Sequence, residues 1–233
     1  MSLGVVLLHG KWDTPPFAVA PLADALTAAG HRCAMPSLPW ALRRLYDAPL
    51  GEALDRIEDE IAALRAAECT RVALCGHSLG GAAALALAAR RTPPDALIVL
   101  GPGHFPERLD AAGLTTASLA AARQASSAAR IALVDVHQGR PRRLRIAPSI
   151  YLSYFAPDGA LHWPHNAARL PAGMPLLWLV GRADAACALG IDYAFARAPA
   201  HPRSRYAQID AGHADTPARA VDQVIDWLAA LDL

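Results

Sequence analysis

One pentapeptide constrains the fold of this 233-residue chain more than any other feature: Gly76-His77-Ser78-Leu79-Gly80. It follows an apolar run of strand length, residues 71–75, and precedes an alanine- and leucine-rich run of helix length, residues 82–89. A serine at the tip of so sharp a strand-to-helix turn must adopt a strained backbone conformation. The flanking glycines are required because side chains there would clash where strand and helix approach each other. The pattern therefore predicts a reactive serine at the start of a helix, where free backbone N–H groups can face a developing negative charge.

Strand-like and helix-like segments alternate along most of the chain. The strand-like segments are short apolar runs at residues 3–8, 31–35, 71–75, 96–100, 175–180 and 205–209. The helix-like segments lie at residues 17–29, 49–67, 82–91, 192–198 and 216–231. This alternation predicts an α/β fold, in which helices cover both faces of a mostly parallel, doubly wound sheet of about six strands.

The alternation breaks between the fourth and fifth strand-like segments. The intervening residues contain an alanine- and serine-rich helical stretch, a possible hairpin, an aromatic segment and a turn-rich loop, at Thr115–Arg130, Ile131–Ile146, Tyr151–Phe155 and Pro157–Pro171. Such a stretch is too long for an ordinary strand-to-helix connection and too patterned for disorder. We therefore predict that residues 105–172 form an inserted cap, and that residues 1–104 and 173–233 form the core.

Charge and composition exclude several classes of partner. A formal net charge of +1 offers no electrostatic basis for binding nucleic acid or an anionic membrane. No apolar run approaches the roughly 20 residues of a membrane span, and the start of the chain lacks the basic region of a signal peptide. Four cysteines without Cys-x-x-Cys spacing favour reduced thiols and a cytoplasmic location, and three histidines at positions 104, 162 and 165 lack the spacing of metal ligands. We expect no metal.

A reactive serine needs a base, and the base needs an acidic partner. His213 follows the last strand-like segment and precedes the last helix, which places it at the same edge of the sheet as Ser78. Asp184 follows the preceding strand and is the preferred acid. Asp210, Asp192 and Asp215 are the alternatives, of which Asp215 is suited to capping the last helix.

These features together resemble the α/β-hydrolase superfamily: the Gly-His-Ser-Leu-Gly turn, an early His9-Gly10 loop, an acid after the penultimate strand and a final Gly-His. The chain order Ser78, Asp184, His213 is the one expected for that fold. The resemblance implies that the first two strands of the family plan are absent, leaving the order 4-3-5-6-7-8 by the family's count. It also implies an oxyanion hole formed by the backbone N–H groups of Leu79 and Lys11, with Trp12 as an alternative to Lys11.

Several other side chains are expected near the substrate. Those assigned to substrate binding are Trp12, His77, His104, Tyr151, Tyr154 and Trp163. For the cap aromatics an equally good interpretation is that they form the cap's own small core. His9 is interpreted as a structural ring that holds the oxyanion loop. Lys11, the only lysine, is interpreted as solvent-exposed with only its backbone involved, and the arginines of the hairpin as a solvated end.

The predicted activity is cofactor-free hydrolysis of a small-molecule carboxylic ester by a Ser-His-Asp triad, with the cap governing access. The same triad could serve a thioesterase, an amidase, a carbon–carbon hydrolase or a cofactor-free haloperoxidase or lyase. A ligand receptor without turnover and a structural protein with a relic triad also remain open. The sequence leaves the substrate and the oligomeric state undetermined.

Overall fold

A parallel sheet of six strands forms the centre of the molecule. The computed structural model describes residues 2–126 and 128–231, so Met1, Ser127, Asp232 and Leu233 of the predicted ranges lie outside the described residues. The strands are β1 (Ser2–Leu8), β2 (Arg32–Ala34), β3 (Cys69–Ser78), β4 (Ala96–Pro102), β5 (Ile131–His137), β6 (Arg140–Ile146), β7 (Leu176–Gly181) and β8 (Arg205–Ile209). All but β5 and β6 join the sheet, in the order β2-β1-β3-β4-β7-β8 and all parallel. The predicted α/β fold and strand order are confirmed.

Helices cover both faces of the sheet. They are α1 (Ala20–Ala28), α2 (Leu50–Ala66), α3 (Leu79–Arg90), α4 (Pro106–Ala111), α5 (Thr116–Gln124), α6 (Pro148–Phe155), α7 (Trp163–Ala167), α8 (Thr216–Arg219) and α9 (Val221–Ala229). Alternate residues of each strand face opposite sides: Val5 and Leu7 pack with α1 and α9, whereas Val6 and Leu8 pack with α2 and α3. Every residue of β4 and β7 is buried, as expected for strands covered on both faces. No helix in the described ranges is both long and apolar enough to cross a bilayer.

Residues 105–172 leave the sheet after β4 and return to it at β7. They contain α4, α5, the antiparallel β5–β6 hairpin, α6 and α7. The hairpin turns through Gln138 and Gly139, both with positive φ (50° and 72°), which is the geometry of a tight two-residue turn. Buried aromatic side chains of α6 belong to the same hydrophobic cluster as α2 and α3, so this segment shares the core of the sheet.

Two helix predictions are corrected. The predicted helix at residues 192–198 is instead a series of short 3-10 turns, Ala185–Leu189, Ile191–Tyr193 and Phe195–Arg197. Gly190 has a φ of 69°, which ends the first turn, and Ala194 leaves the helical region between the other two. The helix expected from residue 17 begins only at Ala20, since Asp13 first folds the chain by accepting hydrogen bonds from the Thr14 and Ala18 amides.

Candidate active site

The turn between β3 and α3 has the strained geometry predicted from its sequence. Ser78 has a φ of 56° and a ψ of −120°, a conformation that non-glycine residues rarely adopt. A Cβ on Gly76 would clash with the Gly80 backbone, and one on Gly80 would lie 2.5 Å from the Leu8 carbonyl oxygen. Both glycines are therefore required by backbone approach, the first within the turn and the second against the end of β1.

Ser78, His213 and Asp184 form a continuous hydrogen-bonded series. His213 Nε2 lies 3.0 Å from Ser78 Oγ, and His213 Nδ1 lies 2.7 Å from Asp184 Oδ2. A carboxylate only accepts, so Nδ1 carries the proton and the free lone pair of Nε2 faces the serine hydroxyl. The Asp184 side chain is 5 % exposed, whereas that of His213 is 40 % exposed. The arrangement fixes the histidine tautomer in which Nε2 can take a proton from the serine.

The loops that carry the acid and the histidine are fixed by local hydrogen bonds. The second oxygen of Asp184 accepts from the Ala186 amide at 2.9 Å and caps the following 3-10 turn. Asp215 accepts from the Gly212 amide at 2.7 Å, and Thr216 Oγ1 donates to the Gly212 carbonyl. Asp215 thus holds the loop before α8. The remaining alternatives, Asp210 and Asp192, are exposed.

The loop after β1 passes beside the serine. A Cβ on Gly10 would lie 3.4 Å from Ser78 Cβ and 3.0 Å from His77 Nδ1, so only glycine fits comfortably there. Of the two amides that sequence left open as oxyanion donors, the Trp12 N–H is already bound to the Trp40 carbonyl at 2.8 Å. Within the described ranges, the Lys11 N–H has no backbone acceptor. Leu79 is the first residue of α3, so its N–H lies outside the helix's own hydrogen-bond ladder.

Burial lowers the pKa values of His9 and His77 and keeps both rings neutral, while backbone groups fix their orientation. The Leu38 N–H donates to His9 Nε2, and His9 Nδ1–H donates to the Gly10 carbonyl, so this ring braces the loop after β1 as expected. His77 Nε2–H donates to the His213 carbonyl at 2.9 Å, and its buried Nδ1 has no hydrogen-bond partner in residues 2–126 and 128–231. Burial and the nearby His213 lower the pKa of His77 to about 4.

A cavity of about 620 Å³ opens above Ser78. Three of the side chains assigned to substrate binding, Trp12, His77 and His104, line it. The segment 105–172 supplies part of the wall through Phe105, Leu109 and the hairpin tip. Gly103 forms the part of the wall beside Ser78, where an added Cβ would lie 2.5 Å from Ser78 Oγ. Sequence reasoning missed Gly103, and the two glycines around Pro102 at a strand end were the available signal.

The other three assigned aromatic side chains lie elsewhere, which corrects that expectation. Tyr151, Tyr154 and Trp163 are at most 1 % exposed and join the main hydrophobic cluster instead of lining the cavity or forming a separate core. Each satisfies its polar atom within the protein: the tyrosine hydroxyls donate to the Val134 and Ala48 carbonyls, and the indole donates to the His104 carbonyl. They are packing residues because the segment that carries them lies against the sheet.

The side chain of Lys11 is buried, which corrects the expectation of a solvent-exposed loop residue. Its ammonium contacts Asp135 Oδ1 at 2.6 Å and donates to the Val136 carbonyl at 2.5 Å. Tyr46 Oη donates to the other Asp135 oxygen at 2.9 Å. The Asp135 side chain is fully buried. No sequence pattern pointed to this ion pair, which joins the loop after β1 to the inserted hairpin.

His104 completes this network. Its Nε2–H donates to the Tyr154 carbonyl at 2.8 Å, which leaves the Nδ1 lone pair facing Lys11 Nζ at 3.5 Å. Burial and the Lys11 ammonium lower the pKa of His104 to about 4. His104 is therefore a neutral acceptor beside the ion pair. Across residues 2–126 and 128–231, no group of three or more His, Cys, Asp or Glu side chains is arranged to hold a metal ion.

Comparison with known proteins agrees with this architecture. The model of the Alpha/beta hydrolase family matches residues 5–227. Similar solved structures include a monoacylglycerol lipase from Paleococcus ferrophilus, with 19% identity, a TM-score of 0.70 and coverage of 97% of this chain and 94% of that one. No curated protein sequence matches.

Two further structures have the same fold. A metagenome-derived lipolytic enzyme from the LipS and LipT study has 16% identity, a TM-score of 0.62 and coverage of 99% and 92%. Est1E from Butyrivibrio proteoclasticus, with ferulic acid bound, has 15% identity, a TM-score of 0.61 and coverage of 98% and 90%. With a family model that spans nearly its whole length, the chain belongs to the alpha/beta hydrolase family.

Proposed function

We propose that this protein is a serine hydrolase that cleaves a carboxylic ester of small to medium size. The observation that carries the proposal is the hydrogen-bonded series Ser78–His213–Asp184 on the floor of a cavity of about 620 Å³. Lipases and esterases among proteins of the same fold favour an ester over the other bonds that such a series can cleave. The cavity volume is within the ordinary range for small-molecule sites.

The reaction follows from the atoms in place. Ser78 Oγ attacks the ester carbonyl carbon while His213 Nε2 takes the hydroxyl proton, and Asp184 stabilises the resulting imidazolium. The tetrahedral oxyanion is held by the N–H groups of Leu79 and Lys11. His213 then gives its proton to the leaving alkoxide. A water molecule activated by the same nitrogen hydrolyses the acyl enzyme, and neither a metal nor an organic cofactor takes part.

Residues 105–172 act as a cap in this proposal. Phe105, Leu109 and the hairpin tip form part of the cavity wall, so a substrate must fit between them and the strand ends. The cap therefore selects the substrate, while the strand ends supply the chemistry.

The test combines 4-nitrophenyl esters of graded acyl length with fluorophosphonate labelling, on the wild type and on Ser78→Ala. We expect turnover to fall at least about 10⁴-fold in Ser78→Ala and labelling to disappear, because the nucleophile is lost. Thr115→Ala is a matched control, since it removes a buried cap hydroxyl that does not line the cavity and has no hydrogen-bond partner among the residues the structure describes. If a folded wild-type protein showed no turnover and no labelling, the proposal would be overturned.

A further inference from the structure

The hairpin end of the cavity contains polar groups that the proposed reaction does not use. Trp12 lines the cavity, and its buried Nε1–H has no hydrogen-bond partner among the described residues. A buried donor without a partner is costly, which marks it as a position for an acceptor from a bound molecule. The Trp12 backbone is also held at a φ of 57°, rare for a bulky residue, by the bond from its amide to the Trp40 carbonyl.

The Trp12 indole stacks on the hairpin tip. Its ring centroid lies 4.7 Å from that of His137, with an interplanar angle of 29°. His137 also lines the cavity, and neither of its ring nitrogens has a hydrogen-bond partner in the part of the chain that the structure describes. Burial and the Lys11 ammonium lower the pKa of His137, so the ring is neutral near pH 7 and offers one N–H. Two stacked rings that line the cavity therefore each carry an N–H donor with no partner among the described residues.

The hairpin brings positive charge to the same end. His137 pairs with Arg140 and Asp135 pairs with Arg142 across the two strands. Residues directly opposite in an antiparallel pair share a face, so both arginines lie on the hairpin face that carries His137. Across the described ranges neither arginine side chain has an ion pair or hydrogen bond.

The carboxylate directly opposite Arg142 on the hairpin is already committed. Asp135 is fully buried and holds Lys11 and Tyr46. Arg142 therefore lies opposite an aspartate whose charge is balanced by another residue. The hairpin face that carries His137 therefore presents two arginine charges that no carboxylate neutralises among the described residues. The cavity-lining carboxylate of Asp13 accepts from the Thr14 and Ala18 amides, and the whole chain carries a formal charge of only +1.

We propose that the hairpin tip and Trp12 bind a carboxylate carried by the ester substrate, with Arg140 and Arg142 supplying its counter-charge. This inference rests on the proposed ester hydrolysis and specifies its substrate class: monoesters that retain one free acid group. Trp12 Nε1–H and the His137 N–H donate to the carboxylate oxygens, and the arginines attract it at the cavity mouth. The carboxylate belongs either to the acyl chain or to the alcohol, and the chemistry of recognition is the same for both.

The test uses two pairs of esters that differ only in a terminal carboxylate. On the acyl side the pair is 4-nitrophenyl hydrogen adipate and 4-nitrophenyl hexanoate. On the alcohol side it is 4-carboxyphenyl hexanoate and the methyl ester of that carboxyl group. The measured quantity is the ratio of kcat/KM for the anionic ester to that for its neutral partner.

Two double variants serve as the test and its matched control. Arg140→Gln/Arg142→Gln removes both arginines from the hairpin face that carries His137, whereas Arg143→Gln/Arg145→Gln removes the same charge from the opposite face. We expect the first to lower the anionic-to-neutral ratio about tenfold for one of the two ester pairs, and the second to change it less than about twofold. Trp12→Phe, which keeps an aromatic ring but loses the N–H, should lower the same ratio about threefold.

If the two double variants lowered the anionic-to-neutral ratio equally, only a general electrostatic field would be at work, and the inference would be overturned. A ratio unchanged in both double variants would overturn it as well. Ser78-dependent hydrolysis of the neutral hexanoate reports on the proposed function alone, so the two failures can be told apart. Binding of monomethyl adipate and methyl hexanoate to Ser78→Ala, measured by calorimetry, tests the site without turnover. Affinity for the acid that does not exceed affinity for the neutral ester would overturn acyl-side recognition even if no ester is cleaved.

Discussion

The two sides of the cavity are built in different ways. On one side, Ser78 ends a strand of the parallel sheet, and Asp184 and His213 each follow one. Hydrogen bonds within a few residues hold the loops of Asp184 and His213. On the other side, Lys11 meets Asp135, a residue 124 positions away, and Trp12 stacks on the tip of an inserted hairpin. The proposed reacting groups are thus placed by backbone geometry, whereas the opposite wall depends on long-range contacts. The first side should be sensitive to single atoms, and the second to the docking of a whole segment.

The largest loss of activity should come from the side made by the strand ends. Asp184→Asn keeps an oxygen to cap the following turn but places an N–H donor against His213 Nδ1, which favours the wrong tautomer. We expect kcat to fall about 10⁴-fold with an unchanged fold, as measured by steady-state kinetics and circular dichroism. Asp210→Asn is the matched control on an exposed carboxylate. A loss of less than about tenfold would show that another group orients the histidine.

Asp135→Asn should destabilise the opposite wall of the cavity, where Lys11 meets the hairpin. It leaves the buried Lys11 ammonium without its counter-charge, which typically costs about 3–5 kcal/mol of unfolding free energy. Because the Lys11 backbone is the proposed second oxyanion donor, kcat should fall more than KM rises. Denaturant unfolding and kinetics measure the two effects.

Tyr46→Phe is the matched control for that substitution. It removes only the hydroxyl that donates to Asp135 and leaves the ion pair, so the expected cost is about 1.5–3 kcal/mol. An Asp135→Asn protein as stable and as active as the wild type would contradict the assignment of the ion pair as the link between the hairpin and the oxyanion loop.

Low pH should destabilise both sides of the cavity, because each contains a buried neutral histidine. His77 and His104 have folded-state pKa values of about 4, below the ordinary value of 6.5, because burial disfavours their charged forms. Between these values the unfolded state binds more protons, so the free energy of unfolding falls as pH decreases from 6.5 to 4. Each histidine contributes up to about 3 kcal/mol to this loss. Denaturant unfolding between pH 6.5 and 4 should show that the free energy of unfolding depends less steeply on pH in His77→Gln and in His104→Gln than in the wild type. Equal slopes in all three proteins would contradict this prediction.

The smallest of these effects should come from Gly103→Ala. The new methyl group would lie 2.5 Å from Ser78 Oγ, so either the hydroxyl or the loop must move. A displacement of this size at the reacting atoms lowers kcat about 10²-fold. Gly113→Ala is a control at a glycine with open space around it, although its φ of 73° makes a small loss of stability expected there. Full activity of Gly103→Ala would mean that the wall beside the nucleophile yields easily.

Local patterns in the sequence were enough to predict the sheet and the positions of the proposed reacting groups. The run before Ser78, the two flanking glycines and the positions of Asp184 and His213 after strands are all readable because strand and helix periodicities are short. The glycine spacing predicted the strained turn at Ser78, and the alternation of strands and helices predicted a parallel sheet. The order of its strands came from the resemblance to the α/β-hydrolase superfamily. The exact start of α1 was missed, because the Asp13 side chain folds the preceding residues into a turn.

Long-range packing decided what the sequence left open. The chain by itself determined a six-stranded parallel sheet with Ser78, Asp184 and His213 at one edge, since each of these depends on residues near in sequence. Only the tertiary structure decided that the Trp12 amide is occupied by Trp40, that Lys11 is buried against Asp135, and that the aromatic residues of α6 belong to the core. The physical reason is that burial and charge pairing depend on which distant segments contact each other. The local periodicity of the sequence carries no information about those contacts.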